Sequence, residues 1–156
     1  MYYSLTFGKR SATGGITGKN TWSDWKLIPD SPPMVDPPEP IFNLIDIPGR
    51  IQGPLDLSRV PFNRLLYKRM SGSWTFYSEV YNKNTRIELF ENIRSYLHGQ
   101  SMYVGFEEDP RHYFNGRFTV SAPRSSTGPI QITIGYDLEP VRYNNNGTID
   151  TTYVQN

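Results

Sequence analysis

The sequence predicts a mainly β protein (β+α) with one helix, and three observations carry that prediction. Aromatic residues make up 14% of the chain, with 11 tyrosines among them. Glycine and proline contribute 13 residues each. Aromatics suit pleated, half-buried surfaces, and Gly and Pro punctuate turns, so many short strands are expected. One segment alone has a helical apolar stripe behind a capping pattern.

Tyr3 to Phe7 reads as a first strand, with Tyr3, Leu5 and Phe7 on one face. Ser11 to Asn20 is rich in Gly, Ser and Thr and reads as a flexible loop. Trp22 and Trp25 follow close together. Pro29 to Pro40 holds six prolines in twelve residues. Proline has no N–H for a ladder, so this is an extended arm or a sheet edge. Ile41 to Ile47 reads as a strand stopped by Pro48-Gly49. Arg50 and a second break at Gly53-Pro54 come next, then Leu55-Asp56-Leu57-Ser58. Arg64 to Tyr81 is expected to be a long strand or hairpin broken at Ser71-Gly72.

The helix is expected to open at Thr85, whose hydroxyl and the Glu88 carboxylate would satisfy each other's free backbone N–H groups. Ile87, Phe90, Ile93 and Leu97 then form its core face, flanked by Leu89 and Tyr96. His98 falls in the last turn, where positive charge suits the dipole, and Gly99 closes the helix. Met102 to Phe106, Phe114 to Ser121 and Ile130 to Tyr136 read as three more strands. Pro110 and Gly116 mark the first connection and Ser125 to Pro129 the second. The domain is expected over residues 1–143, with a loose polar tail over 144–156.

The chain has 156 residues, enough to bury about 70% of its unfolded surface without a disulfide or metal. It has no cysteine, which excludes thiolate chemistry and disulfides. The formal charge of +1 is not that of a nucleic-acid binder. No signal peptide and no apolar run of roughly 20 residues is visible, so a soluble protein is expected, with no membrane partner.

Chemistry is harder to find. His112 sits beside Glu107, Glu108 and Asp109, where a metal or acid/base site can be imagined; a charged turn between strands is the preferred reading. Ser58, Ser71 and Ser125 lack a nucleophile-elbow context, and Gly8-Lys9 and Gly18-Lys19 lack phosphate-loop spacing. No catalytic, metal or cofactor residue is assigned. Arg50 either grips a phosphate or carboxylate, or ion-pairs with Asp46 or Asp56 to fix its turn. The second is preferred, since a lone arginine is a weak ligand signal. Trp22 and Trp25 could stack on sugars or bases, though core burial is the commoner fate.

A set of motifs resembles one family. Gly18-Lys19-Asn20, TWSDWKLIP, PPEP at Pro37-Pro38-Glu39-Pro40 and IDIPGRIQGPLDLS occur in order. MYVGFEEDPRHYFNGRFTV and ITIGYDLEPVRY follow. Together they resemble the N-terminal domain of phage distal tail proteins, over nearly all of Tyr3 to Tyr143. The resemblance implies a β-sandwich-like fold flanked by one helix, and a structural virion protein rather than an enzyme. It implies six copies in a ring at the tail tip, between the tail-tube protein and the tail-associated hub protein. Receptor-binding or baseplate proteins would attach around it, and DNA would pass through the lumen without specific binding. The protein would be made in the bacterial cytoplasm and reside in the virion. Many members carry a galectin-like domain after the Glu-Pro; this chain resembles the short form. The expected subunit contacts are Pro37, Pro38, Glu39, Pro40, Ile47, Pro48, Gly49, Arg50, Leu55 and Asp56. A small carbohydrate- or receptor-binding module is the alternative.

Overall fold

The computed structural model describes residues 3–60, 66–78, 83–122 and 130–153. Arg64, Val80 and Tyr81 of the expected long strand, and the loop from Ser125 to Pro129, lie outside them. The architecture is mainly β with one helix. A principal antiparallel sheet contains β1 (Leu5–Arg10), β2 (Ile16–Asn20), β3 (Ile28–Pro29), β8 (Met70–Ser78), β9 (Ser101–Phe106), β10 (Asp109–Ser121), β11 (Ile130–Leu138) and β12 (Tyr143–Asn144). Its order is β2-β1-β9-β10-β11-β8-β3, with β12 paired to β10 beyond the end of β11. Two separate two-stranded ladders join β4 (Pro40–Ile41) to β7 (Leu66–Tyr67) and β5 (Leu44–Ile45) to β6 (Leu55–Asp56).

The principal sheet is curled. Phe7 on β1 and Trp74 on β8 are separated by three strands, so a flat sheet would hold them about 19 Å apart. Their ring centroids are 6.4 Å apart. The curl wraps one apolar face around a shared core. On β11 that face is Ile130, Ile132, Ile134, Tyr136 and Leu138, every second residue and all buried. Phe118 lies edge-on to Phe7 at 5.0 Å, and Trp74 stacks on Tyr136 at 4.3 Å. Fully burying such side chains stabilises by about 1.5–3 kcal/mol each.

The helix α1 (Lys83–Leu97) closes the open side of the curl. It begins before Thr85, so Thr85 lies inside the first turn and is not its cap. Ile93 and Leu97 are fully buried, and Leu89, Phe90 and Tyr96 pack on the core at its margin. Ile87 is 54% exposed, so the buried stripe begins two residues later than the periodicity predicts. The Tyr96 hydroxyl donates to the Phe7 carbonyl at 2.8 Å. His98 follows the helix, and its Nδ1 accepts the Val120 N–H at 3.0 Å. Its ring therefore ties the helix end to β10 through that hydrogen bond. Gly99 has φ +73°, the left-handed closure its position requires.

Other expectations change. Tyr3 is 38% exposed and precedes β1. Ser11 to Asn20 is half strand: a turn through Gly14 and Gly15, both at positive φ, leads into β2. β1 and β2 meet where only glycine fits, since a Cβ at Gly18 would lie 1.9 Å from the Phe7 carbonyl oxygen. β8 runs unbroken through Ser71-Gly72; the break falls before it, at Lys68-Arg69. β9 and β10 turn at Glu107-Glu108, so Pro110 and Gly116 lie within β10, with a bulge between Asp109 and Tyr113. Ile41 to Ile47 is no continuous strand, as only Ile41 and Leu44–Ile45 pair, and with different partners.

Of the expected tail, the described residues 144–153 are tied to the body. Asp150 is buried and accepts from Arg142 Nη2 at 2.6 Å and Thr152 Oγ1 at 2.6 Å. Tyr153 packs edge-on against Phe114 with centroids 5.5 Å apart. Hydrogen bonds from Thr152 and Arg142 hold the Asp150 carboxyl well below the usual carboxylate range.

Candidate functional site

Residues 40–60 and 66–67 form a hairpin arm with ladders of its own, apart from the principal sheet. Two turns make its tip. Gly49 and Gly53 have φ +81° and +82°, which glycine adopts without strain. The Arg50 N–H donates to the Ile47 carbonyl, and the Gly53 N–H to the Arg50 carbonyl. Leu44 then faces Asp56 and Ile45 faces Leu55. Below, the Asp56 carboxylate accepts from both the N–H and the hydroxyl of Ser58, which hold its pKa down. Ser58 Oγ in turn accepts the Asn43 N–H at 2.8 Å. The arm is thus ordered by turns and local hydrogen bonds, not by a core.

Its apolar side chains face solvent. Ile41, Phe42, Leu44, Ile45, Ile47, Ile51, Val60 and Leu66 are all exposed, with Phe42 at 61% and Ile51 at 98%. Most of the large exposed apolar residues described lie here. Large exposed apolar side chains gathered on one small element make this arm the candidate contact surface.

The ten expected contact residues all fall on this arm or its root. Pro37 and Glu39 are exposed, Pro38 is buried and Pro40 half-buried at the root. Glu39 pairs with Lys68 across it at 3.2 Å. Ile47, Pro48 and Gly49 are exposed at the tip with Arg50 half-buried beside them, and Leu55 and Asp56 sit on the returning limb. PPEP and IPGR therefore occupy opposite ends of one hairpin. Arg50 makes no ion pair with Asp46 or Asp56. Its Nη1 is shut from solvent without a hydrogen-bond acceptor among the described residues.

The other candidates separate. Trp25 is 7% exposed in the core, 6.4 Å from Phe7, whereas Trp22 is half-buried with Lys26 Nζ 5.2 Å over its ring. His112 is bound by Asp109 at 2.8 Å and faces Asp150 at 3.5 Å. With Arg142 this group fastens β12 and the following residues to β10. Asp150 carries no motif, and only its partnership in space with Arg142 reveals the pair.

A second surface feature was not legible in sequence. At the β2 side of the sheet a cleft of about 300 Å³ is lined by Ile16, Asn20, Phe106, Glu107, Pro110 and Tyr113 among others. Glu107 Oε2 accepts the Ser4 N–H at 2.9 Å and the Ser4 hydroxyl at 3.0 Å. Those bonds hold its pKa down and fix an ionised carboxylate at the cleft. Tyr113 is 1% exposed, and its hydroxyl has no partner among the described residues. Among those residues no cluster is set to hold a metal ion. No described helix is long and apolar enough to cross a membrane.

The sequence matches no protein-family model and no curated protein. The fold does have a solved counterpart: the Dit (gp 19.1) protein of phage SPP1, described as a paradigm of hub adsorption apparatus in phages infecting Gram-positive hosts. The two superpose with a TM-score of 0.63 at 12% identity, over 90% of this chain and 52% of that one. The chain thus spans about half the length of that protein, and what the pair demonstrably share is a fold.

Proposed function

We propose that this protein is a structural component of a phage tail tip, a homohexameric hub ring with a central channel for DNA. The ring would join the tail-tube protein to the tail-associated hub protein and carry receptor-binding or baseplate proteins. The observation that carries this reading is the arm: an ordered hairpin that exposes Phe42, Leu44, Ile45, Ile47 and Ile51 on a body with the Dit-like fold. Apolar side chains that add nothing to a core are retained where a partner covers them. A ring needs heterologous contacts, one face of a copy against a different face of the next. An arm on one side of a body is suited to that. The near-neutral charge is compatible with a lumen that lets DNA slide, since many phosphate contacts would retain it.

Averaged electron micrographs of the purified protein, alone and with tube and hub partners, test the proposal. Six-fold rings with a central hole are expected, and monomers or dimers under every condition contradict it. Carbohydrate binding has lost its best support, because Trp25 is in the core and the tryptophans do not form a stacking pair.

A further inference from the structure

We infer that the arm tip of one copy, Arg50 and Ile51, seats in the Glu107 cleft of a second copy. The inference rests on the ring reading for the existence of a second copy and names where the copies meet. The two surfaces are complementary in kind. On the tip, Ile51 is 98% exposed beside the half-buried Arg50. In the cleft, the Glu107 carboxylate stands beside apolar side chains.

The chemistry matches across the gap. Ser4 holds Glu107 through Oε2, while Oε1 has no hydrogen bond among the described residues. A carboxylate fixed at one oxygen offers the other to an arriving guanidinium. Ile16, Phe106 and Pro110 supply an apolar wall for Ile51. The tip is already rigid through its two glycine turns, so little further entropy is lost when it docks. Tip and cleft are different surfaces, so the contact is heterologous and can propagate around a ring.

The chain has no cysteine, so single cysteines can be placed cleanly. I51C and P110C proteins, mixed and treated with a short bis-maleimide, should give a covalent dimer that neither gives alone. In parallel, R50E should weaken self-association at least about tenfold, and E107R should restore much of it in the double variant. R50E should melt with wild type, and the cross-link stands independently should E107R destabilise its own fold. Rings without a mixed cross-link, and with R50E assembling like wild type, overturn this contact and leave the ring intact. A wild-type chain that never self-associates removes both.

Discussion

The curled sheet and the arm use the same residue types to opposite ends. In the sheet, Phe7, Phe76 and Phe118 are fully buried, with Trp74 among them. In the arm, Phe42, Ile45 and Ile47 stand in solvent, and order comes from two glycine turns and the Asp56–Ser58 bonds. Apolar character alone does not distinguish a core from an exposed arm. What distinguishes them is long-range pairing. β8 and β11 share nine registered pairs, whereas each arm ladder has two.

The comparison can be broken by substitution. Phe118→Ala should cost about 3–5 kcal/mol in chemical denaturation, because it opens a cavity at the centre of the aromatic cluster. A loss below about 1 kcal/mol would mean that the curl is not closed as described. On the helix, Ile93→Ala should cost about 2–5 kcal/mol and Ile87→Ala no more than about 0.5 kcal/mol. Equal losses at both positions would restore the stripe that the periodicity predicts.

Asp150→Asn should cost about 1–3 kcal/mol by removing charged hydrogen bonds. The Asp150 pKa is lowered by folding, so its contribution is present above the ordinary carboxylate value and lost as pH falls below it. The gap between wild type and Asp150→Asn should therefore narrow below about pH 4, as followed by melting temperature across pH. A gap that persists into strong acid would assign the effect to packing. The smallest effect is expected in the arm, where Phe42→Ala should shift stability by no more than about 0.5 kcal/mol.

Much of the body was legible in sequence, since β11 alternates cleanly and α1 carries its stripe and its closing glycine. The misreadings have physical causes. Gly14-Gly15 and Gly18 look like a loop, yet in β2 glycine is required because the backbones approach closely. Ile41 to Ile47 is apolar enough for a core strand, and nothing local says that no sheet receives it. The motifs placed the expected contacts on one hairpin but did not reveal that Arg50 lacks an ion partner. The cleft was invisible because Ser4 and Glu107 are 103 residues apart and meet only through the pairing of β1 with β9. The same holds for Arg142 and Asp150, whose polar segment gives no periodic signal.

The central claim is that the arm's apolar residues serve association and not folding. Sedimentation velocity over a range of concentrations, on wild type and on a F42S/I47S/I51S variant with matched melting curves, addresses it most directly. The account predicts that wild type sediments as a ring at high concentration, while the variant melts as wild type does and remains a folded monomer. A variant that assembles like wild type, or that unfolds for want of these side chains, would contradict it.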